Sequence, residues 1–151
     1  MSGNVKQTRK IAQDLAKKIL KWNKNKRSQK FVTAVLLGLS GELGSGKTTF
    51  AQGFAKTLGV KQKIISPTFV LIKHYPLRVT RYAHLYHIDA YGINKPKEIL
   101  DLGWKEIIDD PQNIILIEWP EKIKKILPQK HFFINFKHIN KKQRWIKIKK
   151  F

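Results

Sequence analysis

The chain has 151 residues, of which 42% are hydrophobic and 11% aromatic, a size and make-up that suit one globular domain with a single core. It has no cysteine, which excludes disulfides, thiolate metal sites and cysteine nucleophiles and agrees with a reducing compartment. Lysine and arginine total 31 against 10 acids, a formal net charge of +21. The longest apolar run, around 34–39, is too short to span a bilayer, and the lysine-rich start carries no signal-peptide pattern. A cytoplasmic protein with no membrane attachment is expected.

In chain order, Ile11, Leu15 and Ile19, with Ala12, Ala16 and Leu20, form an apolar stripe that predicts a helix over about 6–22. A basic polar loop, Asn23 to Lys30, leads into the β-branched and aliphatic run Phe31 to Leu39, which reads as a buried strand. Directly after it, Gly41-Glu42-Leu43-Gly44-Ser45-Gly46-Lys47-Thr48 fits the phosphate-binding pattern G-x-x-x-x-G-K-[ST] at every fixed position. The chemistry explains the spacing: glycines let successive backbone N–H groups converge on one phosphate. Lys47 can then reach the β- and γ-phosphates, and the Thr48 hydroxyl can ligate Mg²⁺. Phe50, Phe54 and Leu58 then recur at four-residue spacing, with Gly59 as a terminator, so a helix over 48–58 begins where the phosphate would sit.

Ile64-Ile65-Ser66-Pro67-Thr68 is short and broken by proline; a hydroxyl there either senses a γ-phosphate or belongs to a plain turn. Strands are expected over about 69–75 and 82–89, joined as a hairpin through Pro76-Leu77-Arg78. Short helices follow between Asn94 and Asp110, broken at Gly103, with Leu100, Leu102, Ile107 and Ile108 as core contributors. The run Asn113 to Trp119 reads as a buried strand that Pro120 ends, opening a short helix. A C-terminal hairpin over about 131–150 closes the chain, with Phe132, Ile134 and Phe136 facing Ile146 and Ile148 while Lys147 and Lys149 point outward. Strands mixed with helices around a phosphate loop indicate a three-layer α/β fold whose sheet is part parallel and part antiparallel, over a single domain spanning 1–151.

A nucleotide-hydrolysing site needs a carboxylate at the end of a buried strand, and Glu118, with four apolar residues before it, meets that requirement. It would share an edge with the phosphate loop if its strand runs parallel to the one before Gly41. Asp89 is a second candidate, last on a face that also carries Leu85 and His87; a histidine in such a place is more often structural than catalytic. The Asn-Lys-x-Asp element that reads guanine is absent, which favours ATP.

The positive charge admits two readings. It is either an attraction to RNA or a set of solvated lysines dispersed from Lys6 to Lys150. Base recognition would favour clustered arginines, and there are five: Arg9, Arg27, Arg78, Arg81 and Arg144. Alternatives to an ATPase are a small-molecule P-loop kinase, against which the missing arginine-bearing lid counts, and a basic RNA-binding module.

Together, GELGSGKTT at 41–49, SPTF at 66–69 with Tyr75 following, LYHIDAY at 85–91, EILDLGWKE at 98–106 and IEWPE at 117–121 resemble the bacterial TsaE (YjeE) family. That family is the small P-loop ATPase of tRNA threonylcarbamoyladenosine biosynthesis. The resemblance implies that Lys47, Thr48 and Thr49 bind phosphate and Mg²⁺ and that Glu118 supports the metal. It implies further that Asp89 is an essential aspartate, Thr68 a switch-region threonine, and Trp119 a tryptophan beside the acid, for which packing is the plainer explanation. It also implies ATP and Mg²⁺ as cofactors and slow hydrolysis that drives a TsaB–TsaD complex modifying the adenosine next to the anticodon. Contact with tRNA would then be indirect, with direct contact through the basic surface left open. Gly92 stands where the family commonly has arginine, and the basic composition is atypical of it.

Overall fold

A computed structural model describes residues 4–24, 33–67, 69–78 and 80–150. Six strands, β1 (Val35–Gly41), β2 (Ile72–Pro76), β3 (His84–Asp89), β4 (Asn113–Glu118), β5 (Phe132–His138) and β6 (Arg144–Lys150), form one sheet in the order β2-β3-β4-β1-β5-β6. The four central strands are mutually parallel, and β2 and β6 pair antiparallel at the two edges. Helices α1 (Val5–Lys24) and α2 (Lys47–Thr57) pack on one face. On the other lie α3 (Lys97–Leu100), α4 (Trp104–Asp109) and a 3₁₀ segment, Pro120–Ile126. The fold is the expected three-layer α/β arrangement with a mixed sheet.

Alternation of apolar residues along the strands feeds two cores. Leu37, Leu39, Leu116, Ile134 and Phe136 meet Phe50, Phe54, Leu15 and Ile19 on the α1–α2 side. Leu36, Ile115, Ile117 and Ile88 meet Ile99, Trp104, Ile107 and Ile123 on the other. Each large side chain so buried is worth about 1.5–3 kcal/mol. Phe50 stacks on Phe54 at 6.4 Å and meets Phe136 edge-on at 5.6 Å, fixing α2 against β5. Gly53 lets α1 lie directly on α2, since a Cβ there would fall 2.7 Å from the Arg9 carbonyl oxygen. Helix α2 ends as Gly59 predicts: the Val60 N–H reaches the Ala55 carbonyl at 3.1 Å and the Gly59 N–H that of Lys56 at 3.1 Å, a Schellman closure.

Several expectations shift. Helix α1 runs through Lys24, because no Gly or Pro stands there to stop it; residues 25–30 of the expected loop, and Phe31 and Val32 of the first strand, lie outside the described residues. Strand β2 starts at Ile72 rather than near 69. The Val70 and Leu71 N–H groups turn back onto the Pro67 carbonyl at 3.2 and 2.8 Å, Leu71 takes φ 60°, and Phe69 is left 99% exposed. Strand β3 starts at His84 because the Thr80 hydroxyl bonds the Tyr82 backbone as both donor and acceptor, tying it into a turn. Leu100 and Leu102 are exposed rather than core; α3 is a single turn that buries Ile99, and Trp104, the first residue of α4 after Gly103, is buried as well. The terminal hairpin keeps its expected register, Ile134 opposite Ile148 and Phe136 opposite Ile146, although Ile148 at the edge stays partly exposed. No helix among the described residues is long and apolar enough to cross a membrane.

Candidate functional site

Strand β4 runs parallel to β1 with Leu39 opposite Glu118, and β3 runs parallel to β4 with Asp89 opposite Glu118. Three strands therefore end at one edge, bearing the glycine loop, Glu118 and Asp89 side by side. Open parallel sheets place their ligand crevices at such carboxyl ends.

The loop curls through glycines at φ 151° (Gly41), 74° (Gly44) and 105° (Gly46), values that side chains with a Cβ rarely adopt. Gly46 precedes the first turn of α2 with no side chain capping its N–H groups, which leaves an anion-ready helix terminus. Ser45 is buried while Glu42, Leu43 and Gly44 face solvent. Lys47 is buried, and its ammonium donates to the Gly41 and Glu42 carbonyl oxygens at 2.6 and 2.9 Å, inside the curl that a phosphate would fill. Burial lowers the Lys47 pKa from its usual 10.5, opposed by the charges of Glu118, Asp89 and Glu121. The Trp119 ring lies 4.3 Å from that ammonium and packs at 5.1 Å against Tyr91.

Trp119 leaves the strand at φ 60° while its N–H still reaches the Leu39 carbonyl at 3.1 Å, so β4 ends abruptly at Glu118. Glu118 is only 3% exposed. It accepts the Thr48 hydroxyl at 3.3 Å and the His87 Nε2–H at 2.9 Å, and His87 is itself fully buried. Asp89, also buried, accepts the Ser66 hydroxyl at 2.8 Å and the Tyr91 N–H at 2.9 Å. Carboxylates removed from water persist where such donors meet them. Thr49 lies one residue further into α2, and Thr68 lies outside the described residues.

The chemistry of these donors fits Mg²⁺ and a polyphosphate. A threonine hydroxyl and a carboxylate within hydrogen-bond distance are the hard oxygen ligands that magnesium takes alongside water and phosphate. Among the described residues no group of three or more His, Asp or Glu is placed to hold a metal ion by itself.

Two residues join the site unexpectedly. His87 holds Glu118, and the signal was present in its place two residues before Asp89 on the same strand face. Arg144, the first residue of β6, extends a guanidinium Nη1 to the Ser45 carbonyl at 3.3 Å, and a Cβ on Gly46 would sit 2.5 Å from it. Nothing local marks Arg144; only the pairing of His138 with Arg144 across the hairpin brings it there.

The TsaE family model, described as threonylcarbamoyl adenosine biosynthesis protein TsaE, matches residues 2–146. The Rickettsia typhi tRNA threonylcarbamoyladenosine biosynthesis protein TsaE is 41% identical over 113 residues, covering 74% of this chain and 75% of that one. Its namesake in Bacillus subtilis is 40% identical over 111 residues, covering 74% of this chain and 66% of its own. The crystal structure of Bacillus subtilis YdiB superposes with a TM-score of 0.65 at 29% identity, over 95% of this chain and 78% of that one.

Proposed function

Because the chain belongs to the TsaE family of threonylcarbamoyl adenosine biosynthesis proteins, we propose that it binds Mg·ATP in residues 41–49 and hydrolyses it slowly to drive a TsaB–TsaD complex in the cytoplasm. One observation carries the reading: the Thr48 hydroxyl, on the helix after the glycine loop, lies 3.3 Å from the carboxylate of Glu118, seventy residues away.

Each residue then has a part. Backbone N–H groups of Gly44 to Thr49 cradle the phosphates, and Lys47 exchanges its two carbonyl partners for phosphate oxygens. Thr48 and Glu118 would hold the magnesium, which supplies charge neutralisation on the phosphates when bound. His87 fixes the orientation of Glu118. Asp89, held by Ser66 and Tyr91, would orient the attacking water, and the family resemblance makes Thr68 the switch hydroxyl. Trp119 covers the ammonium. With Gly92 where an arginine is common, and Arg144 directed at the Ser45 carbonyl, charge stabilisation in the isolated chain is thin, and a partner completes it.

Reconstitution of the chain with TsaB–TsaD, tRNA, a threonylcarbamoyl-adenylate source and ATP tests this. We expect little turnover from the chain alone and a clear rise on adding TsaB–TsaD; equal rates would overturn the coupling. Labelled ATP yields free phosphate under this reading, whereas a newly phosphorylated small molecule would identify a kinase instead.

A further inference from the structure

The helical layer that covers β3, β4 and β1 stops short of β5 and β6, so one face of the terminal hairpin is open. There the 3₁₀ segment and the sheet enclose a groove of about 940 Å³. Its floor is apolar, with Phe133, Leu127 and Pro120, and its walls carry Lys124, Lys137, Lys147 and Lys149 against a single acid, Glu121.

Strand alternation puts Trp145, Lys147 and Lys149 in single file on this face, about 7 Å apart per two-residue step. Lys137 stands directly across from Trp145. The indole is 52% exposed, an unusual position for so large an apolar ring on an edge strand.

We propose that this groove binds single-stranded RNA, independently of the nucleotide site. A file of one exposed ring followed by two ammoniums matches a polymer in which flat bases alternate with phosphates. Sequence-tolerant single-strand sites are built the same way, from a stacking platform beside a basic track. An acidic peptide would satisfy the lysines but gives the indole no flat partner. Lysine in place of arginine supplies point charges without bidentate base readout, so the site recognises backbone and stacking rather than sequence.

Fluorescence anisotropy of a short, end-labelled, mixed-sequence single-stranded RNA, titrated with the full chain across a series of KCl concentrations without nucleotide, tests the proposal. Trp145→Ala weakens binding roughly tenfold, while Trp145→Phe retains most of it. Lys147→Gln with Lys149→Gln flattens the slope of log affinity against log salt by about 1.4. Lys17→Gln with Lys18→Gln, exposed on α1 across the sheet, leaves both affinity and slope near the parent. Lys47→Ala also leaves binding unchanged, which separates this site from the proposed ATPase. Equal losses in the two lysine pairs would reduce the effect to bulk charge and overturn the groove. Retention of affinity in Trp145→Ala, or displacement of the RNA by an equal charge of poly-glutamate, would overturn RNA as its occupant.

Discussion

The carboxyl edge of β1, β3 and β4 and the open face of β5–β6 both carry charge, under opposite conditions. At the first, Lys47, Asp89, His87 and Glu118 are all buried, and every one of them is held by a named partner. At the second, Lys137, Lys147 and Lys149 stand in solvent on an edge hairpin. Burying an ionisable group is costly unless hydrogen-bond partners meet it, so four such groups in one place mark a candidate site by energetics. Exposed lysines cost nothing to keep; only the shape of the groove and the ring within it distinguish them from the other lysines.

The contrast can be broken most directly at the buried edge. Lys47→Ala and Glu118→Ala are each expected to reduce support of tRNA modification by ~100-fold or more while leaving the far-UV circular dichroism unchanged. Full activity of both in the reconstituted system would remove the site. His87→Ala should be felt in stability as well as activity, since it strips a buried carboxylate of a donor. A loss of about 1–3 kcal/mol, several degrees in Tm, is expected by calorimetry. Arg144→Ala should weaken nucleotide affinity by roughly tenfold with unchanged Tm, measured by titration calorimetry; an unaltered affinity would make Arg144 a brace for the Ser45 carbonyl alone.

A protonation experiment sharpens the same comparison. Burial depresses the Lys47 pKa, so in the free protein Lys47 loses its proton below its usual 10.5. Phosphate oxygens favour the charged form and raise that pKa again, so nucleotide binding should take up a fraction of a proton at alkaline pH below 10.5. Calorimetry in buffers of different ionisation enthalpy reads this uptake, and Lys47→Ala should abolish it. The smallest effect belongs to the exposed face: Lys147→Gln is expected to leave ATP turnover unchanged and Tm within about two degrees.

Much of this was legible in the sequence because local rules dominate where the chain is most constrained. The glycine loop carries its own backbone demand, the run before Glu118 is apolar enough to be buried on both faces, and the period-two spacing of Leu85, His87 and Asp89 put all three on one strand face. Failures came where a side chain answers to distant neighbours. Leu100 and Leu102 look like core residues, but a one-turn helix turned Ile99 inward instead. Phe69 reads as strand, yet the Pro67 carbonyl captured the next two N–H groups and turned the chain away. Arg144 is separated from Ser45 by 99 residues, and no pattern along the chain could join them. Histidine 87 was visible as a place on a face and invisible as a partner, because its acid sits 31 positions later.

The bend at Trp119 and Pro120 has one more implication. Trp119 lies over the Lys47 ammonium, while the next residue forms floor for the groove and packs where a Cβ on Gly38 would come within 3.1 Å of its ring. Neighbours joined by one peptide bond thus serve two walls of the molecule, and an insertion or deletion between them would dislodge both together. The two surfaces can be altered separately by point substitution, but they cannot be moved apart.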